Sequence, residues 1–158
     1  MTKEKLYEFL DKKGLSYDVT EHMAVFTIEE MLRADLPHPE IVAKNLFVRD
    51  DKKRNYYLIT VKEDRTVNLK EFRQQFGTRA LSFASEDELM DILGLYKGAV
   101  TPFGLLNDQE KKVQFFIDRE FASGRLGIHP LENTATVWIE GKDLIGIIKE
   151  HGNSVVEF

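Results

Sequence analysis

The segment Ile41-Val42-Ala43-Lys44-Asn45-Leu46-Phe47-Val48, then Arg49-Asp50-Asp51-Lys52-Lys53-Arg54, then Asn55-Tyr56-Tyr57-Leu58-Ile59-Thr60-Val61 decides the fold. Two β-rich runs separated by a polar hexapeptide predict a hairpin. Side chains alternate across a strand, so Val42, Lys44, Leu46 and Val48 share one face and Ala43, Asn45 and Phe47 the other. Lys44 breaks this pattern, because it puts a charge where an aliphatic side chain is expected. Such a lysine either carries its ammonium to the sheet edge or meets an anion in a pocket. Asn45 faces the other way unless a bulge turns both residues inward.

Upstream, Thr2 to Lys13 has the apolar stripe of a helix in Leu6, Phe9 and Leu10, with Thr2 as N-cap and Gly14 as terminator. Tyr17 to Glu21 alternates as a strand. Thr27-Ile28-Glu29-Glu30 is a capping box that opens a helix to about Asp35, with Ile28, Met31 and Leu32 inward. Leu36-Pro37-His38-Pro39 ends it. Downstream, Asn68 to Phe76 reads as a helix closed by Gly77, and Arg79 to Phe83 as a short strand. Ser85-Glu86-Asp87-Glu88 opens a helix that Gly94 closes. Val113 to Ile117 and Thr134 to Ile139 read as strands, with a turn-rich Arg125 to Pro130 between them. Gly141 to His151 reads as the last helix and Val155 to Phe158 as an edge strand. Strands interrupted by single helices predict a mixed α/β fold, one domain over residues 1–158 with helices outside the sheet.

The 158 residues include 42% hydrophobic and 31% charged side chains, the balance of a folded, water-soluble chain. No apolar run reaches the ~20 residues of a membrane span, and no basic-then-apolar leader opens the sequence, so a cytoplasmic location is expected. With no cysteine there is no disulfide framework, thiolate nucleophile or Cys-ligated metal. Zinc-protease, dinucleotide, P-loop and Gly-x-Ser-x-Gly signatures are missing too, so neither metal nor cofactor is expected. The net charge of -5 argues against gripping nucleic acid by bulk charge. From Arg49 to Arg73, however, eight basic residues stand against five acids. That surplus could meet phosphates or simply solvate a hairpin. The paired acids Asp50-Asp51 and Glu29-Glu30 read as solvated faces.

A second stretch, Tyr96-Lys97-Gly98-Ala99-Val100-Thr101-Pro102-Phe103-Gly104-Leu105-Leu106, places two glycines and a proline in an apolar run. Gly98 and Gly104 allow backbone angles closed to other residues, and such a loop can turn main-chain N–H groups toward a developing oxyanion. An ordinary turn is the alternative. Of the four histidines, His129, between Gly127 and Pro130, is the candidate for binding a substrate group or relaying a proton; His22, His38 and His151 look peripheral. Lysine, histidine, backbone amides and water suit hydrolysis of an already labile ester.

Three pieces in order, Val42-Ala43-Lys44-Asn45-Leu46, Gly98-Ala99-Val100-Thr101-Pro102 and Gly127-Ile128-His129-Pro130, make the chain resemble the YbaK/ProX family. These are free-standing relatives of the editing domain of bacterial prolyl-tRNA synthetase. The resemblance spans nearly the whole chain. It implies a curved, partly barrel-like mixed sheet with helices packed outside. It also implies trans-editing, the hydrolysis of a wrong amino acid from tRNA(Pro), most similar to the branch that clears alanine. Alternatives are clearing of Cys-, Ser- or Thr-tRNA, or a non-catalytic tRNA-binding regulator.

Carried onto this sequence, the resemblance gives Lys44 the aminoacyl-adenosine end and Asn45 the placing of substrate or water. Backbone amides of Gly98, Ala99, Val100 and Thr101, with Pro102 shaping the loop, face the oxyanion, and His129 contacts the amino end or a water. Ile28 and Met31 bound the side-chain pocket, with Phe26 and Leu32 as further candidates. Lys52, Lys53, Arg54, Arg73 and Lys97 are candidates for the tRNA acceptor stem. The acidic total implies weak, salt-sensitive binding unless a synthetase or elongation factor helps.

Overall fold

A computed structural model describes residues 1–25 and 27–158, with the side chains of Ile28, Met31 and Leu32 outside the description. The predicted hairpin forms from β2 (Ala43–Asp50) and β3 (Tyr56–Lys62). Their antiparallel register runs unbroken from Ala43 opposite Lys62 to Arg49 opposite Tyr56, so there is no bulge. The hairpin is the centre of a five-stranded sheet ordered β4-β2-β3-β5-β8, with β4 at Leu81–Phe83, β5 at Val113–Ile117 and β8 at Val155–Glu157. β5 lies parallel to both β3 and β8, which makes the sheet mixed.

Both faces of this sheet are covered. On one, Ala43, Phe47, Leu58, Phe115 and Ile117 pack with residues of α1 (Lys3–Lys12), α4 (Glu86–Leu93) and α6 (Gly141–His151). On the other, Val48, Tyr57, Ile59, Val61 and Phe116 meet Phe72 and Phe76 of α3 (Leu69–Phe76), with Phe158 alongside. Double burial explains why β3 reads as a continuous apolar run rather than an alternating one. Helix ends follow the sequence signals. Ser85 and Glu88 form the capping box of α4, and Gly77 and Gly94 end α3 and α4 in the left-handed conformation. Thr27 Oγ1 accepts the Glu30 N–H at the start of α2 (Ile28–Arg33).

A second sheet holds three strands in the order β1-β7-β6: β1 (Tyr17–Glu21), β7 (Ala135–Glu140) and β6 (Arg125–Ile128). The inner faces of the two sheets share one core, and among the described residues their backbones pair only at a parallel bridge between Val42 and Gly127, so the sheets do not close into a barrel. β6 corrects the sequence reading, which took Arg125 to Pro130 as turn-rich. Gly127 is not a turn residue. A Cβ there would lie 2.4 Å from the Trp138 ring on the paired strand, so the glycine makes room for the indole. A short helix, α5 (Arg119–Ala122), was also not anticipated.

Gly104 needs a similar correction. It has no positive φ; it sits in a buried 3₁₀ segment, Pro102–Asn107, where a Cβ would approach Leu95 Cδ1 to 2.6 Å. Gly98 does use glycine's freedom, at φ 95°. Asp50 is the third correction. Read as half of a solvated acid pair, it is 0% exposed.

Candidate active site

Where β2 begins, beside the bridge to β6, a cavity of 210 Å³ opens between the sheets. Lys44 and Asn45 line it from β2, Gly98 and Val100 from the glycine loop, and Gly127, Ile128 and His129 from the end of β6. Val25, Thr27, Val42 and Ala43 complete the described wall. The cavity encloses the mouth of the strand, so residues from both of its faces reach it without a bulge. Three sequence segments separated by more than 25 residues thus meet at one small space. It is smaller than the ~300–1,000 Å³ of drug-sized ligand sites.

Each polar group keeps unused hydrogen-bonding capacity. Lys44 Nζ donates to the Arg65 carbonyl at 2.6 Å, leaving two of its three N–H donors. The Arg65 segment is itself anchored, since the guanidinium pairs with Asp118 at 2.8 Å and lies 4.1 Å over the Phe158 ring. Asn45 Oδ1 accepts from the Thr60 hydroxyl at 2.6 Å, which fixes the amide and leaves its NH₂ without an acceptor among the described residues.

His129 is held by a 2.9 Å bond between Nδ1 and the Ala135 carbonyl. A carbonyl only accepts, so Nδ1 carries the proton and Nε2 presents a lone pair. Burial pushes the imidazole pKa down; the Ala135 bond opposes this and the nearby His22 adds to it. The ring is therefore neutral at pH 7. His22, read as peripheral, lies 6.1 Å from His129 between ring centroids and bonds the Met23 carbonyl and the Thr136 hydroxyl.

In the glycine loop the Ala99 N–H closes a turn onto the Tyr96 carbonyl at 3.1 Å, and Ala99 is fully buried. Its amide is committed to that turn, which corrects its reading as an oxyanion donor. The N–H groups of Gly98, Val100 and Thr101 have no acceptor among the described residues. Of these, Gly98 and Val100 line the cavity, while Thr101 is buried outside its lining, as is Pro102, which has no N–H. The candidate wall residues Phe26, Ile28, Met31 and Leu32 lie outside the described residues and side chains. Val25, Thr27, Val42, Ala43 and Ile128 were missed as wall residues. The family-like runs Val42-Ala43-Lys44-Asn45-Leu46 and Gly127-Ile128-His129-Pro130 contained Val42, Ala43 and Ile128, whereas nothing in the sequence marked Val25 or Thr27 as wall residues.

The candidate tRNA residues divide. Lys97 is exposed and adjoins cavity-lining Gly98. Lys52, Lys53 and Arg54 sit in the hairpin turn, beyond Asp50 and about 20 Å along β2 from Lys44 at ~3.3 Å per residue. Arg73 is exposed on α3. Arg49, Lys62 and Arg65, counted in the basic surplus, pair with Glu88, Glu120 and Asp118. Among the described residues no group of three acidic or histidine side chains could hold a metal ion, and no helix is long and apolar enough to cross a membrane.

Comparison with known proteins gives a consistent result. The family model described as the aminoacyl-tRNA editing domain matches residues 22–147. The chain is 41% identical over 154 residues to the prolyl-tRNA editing protein ProX of Acetoanaerobium sticklandii, covering 96% of this chain and 93% of that one. It is 36% identical over 155 residues to the prolyl-tRNA synthetase associated domain-containing protein 1 of Danio rerio, covering 94% and 82%. Among solved structures, a candidate trans-editing enzyme for prolyl tRNA synthetase superimposes with a TM-score of 0.72 at 19% identity, over 98% of this chain and 94% of that one, a likeness of fold. With the family model spanning most of its length and a relative at 41% identity end to end, this chain belongs to the aminoacyl-tRNA editing domain family.

Proposed function

We propose that the protein is a trans-editing deacylase that hydrolyses the ester of mischarged tRNA(Pro), with Ala-tRNA(Pro) as preferred substrate. The observation that carries this reading is the meeting of Lys44, Asn45, the amides of Gly98 and Val100, and His129 around one 210 Å³ cavity. Water attacks the ester carbonyl carbon, and the bond from that carbon to the ribose oxygen breaks. The ribose oxygen leaves with a proton, so the products are the free amino acid and an intact tRNA 3′ end.

Each group has a fitting capacity. The amides of Gly98 and Val100, which have no acceptor among the described residues, stabilise the oxyanion; donors of this kind are worth roughly 10²–10³ in rate. Lys44 adds positive charge at the ester or the adjacent phosphate, and the Asn45 NH₂ orients substrate or water. The unprotonated Nε2 of His129 accepts from the α-ammonium group or from the water. Lys97, beside the cavity, faces the acceptor stem, and a synthetase or elongation factor supplies affinity that the acidic surface does not.

The apolar walls suit a methyl side chain. Since one methylene changes apolar binding by only ~1–3 kcal/mol, and an added hydroxyl is rejected by roughly 10² at most, Cys- and Ser-tRNA(Pro) should react slowly rather than not at all. Deacylation of Ala-, Cys-, Ser- and Pro-tRNA(Pro) by the purified protein tests the reading. Alanine should be lost fastest and proline retained. Preference for another amino acid would keep the chemistry and refute the wall argument; no turnover on any of the four would refute the deacylase itself.

A further inference from the structure

One side chain that has no part in the chemistry above ties the cavity together. Asn133 is 3% exposed and makes four hydrogen bonds to two distant segments. Its Nδ2 donates to the Val25 carbonyl at 2.7 Å, and its carbonyl accepts the Val25 N–H at 3.2 Å. Its Oδ1 accepts from the Tyr96 hydroxyl at 3.0 Å, while its own N–H donates to that same oxygen at 3.0 Å. Val25 lines the cavity, Tyr96 lies two residues before cavity-lining Gly98, and Asn133 follows His129 by four. The intervening chain carries Leu131, 7% exposed, at φ 73°. A bulky side chain holds that conformation only where its surroundings impose it. Tyr96 is 41% exposed, so its hydroxyl rather than its burial anchors it.

We propose that Asn133 is a positioning residue that sets the spacing between the Val25 wall and the glycine loop, and thereby sharpens discrimination between small and large aminoacyl groups. The proposal rests on the deacylase reading and deepens it. Its two arms are separable. Tyr96→Phe removes one oxygen and frees the glycine loop. Asn133→Asp keeps an acceptor for Tyr96 but sets an oxygen against the Val25 carbonyl, which frees that wall.

Steady-state kinetics on Ala- and Pro-tRNA(Pro), with amide hydrogen exchange on the same samples, tests both arms. Both variants should lower kcat on Ala-tRNA(Pro) about five- to tenfold, the loss of roughly one hydrogen bond, with KM for the tRNA within about twofold. The alanine-to-proline ratio of kcat/KM should narrow by about fivefold or more in Asn133→Asp. Exchange should quicken about tenfold at Val25 in Asn133→Asp and at Ala99 in Tyr96→Phe. If wild type is active and the variants keep its kcat and selectivity, the inference is overturned. If exchange at Val25 and Ala99 is unchanged, it is overturned whatever the substrate. Quicker exchange with an inert wild type would uphold the tie and refute the deacylase reading. Should Asn133→Asp unfold, Tyr96→Phe decides.

Discussion

The two ends of β2 carry polar residues with opposite fates. At the turn end, Asp50 Oδ1 accepts the N–H groups of Lys52 at 3.1 Å and Arg54 at 3.0 Å, and Oδ2 accepts from Asn55 at 2.8 Å. Burial by itself would raise its pKa, but these donors prevail and hold the carboxyl below its ordinary value. Its capacity is spent on shaping six residues of turn. At the other end, Lys44 and Asn45 each hold one bond and keep donors open toward the cavity. Burial does not separate the structural residue from the functional one, since the wholly buried group is the structural one. Unspent hydrogen-bonding capacity does.

The strongest way to break this contrast is Lys44→Ala. Single-turnover hydrolysis of Ala-tRNA(Pro) should fall roughly 10²–10³-fold, with the melting temperature nearly unchanged. Retained turnover would show that Lys44 is only a surface lysine anchored on Arg65. Asp50→Ala should do the reverse. Stranding three donors costs about 2 kcal/mol, or roughly 4–8 °C in thermal melting for a chain of this size, while kcat/KM holds within about twofold.

The histidine sharpens the comparison through pH. Because its folded pKa is depressed below 6.5, His129 is neutral through pH 7, and its contribution to both rate and stability is present above 6.5. Both should decline as pH drops through the lower, folded value. A pH–rate profile should therefore be flat from about 7 to 8 with an acid limb that His129→Gln removes, at roughly tenfold lower rate. The smallest effect belongs to the turn end. Changing Lys52, Lys53 and Arg54 together to Ala should leave kcat unaltered and raise KM by about twofold or less. A larger rise, with a shallower salt dependence, would mean that the tRNA runs the length of the hairpin.

The editing-domain resemblance was legible in three short motifs and gave them one substrate, yet how the fold brings them together was not. Val42 and Gly127 are separated by most of the chain, and only the bridge between two sheets brings Lys44 within the cavity that His129 borders. His22 looked peripheral because its turn gives no hint that β1 and β7 pair and carry it to His129. Gly127 looked like a turn because sequence does not distinguish a glycine that frees the backbone from one that makes room for an indole.

By itself the sequence determined what is local: the caps of α1, α3 and α4, the hairpin and its face alternation, and the last helix. Hydrogen bonds three or four residues apart and period-two alternation are properties of neighbouring residues, so they can be read in order. Only the tertiary structure decided that Asp50 is buried, that Gly127 lies against the Trp138 ring, and that Asn133 joins Val25 to Tyr96. Those outcomes depend on packing against residues far apart in the sequence, and no local pattern encodes them.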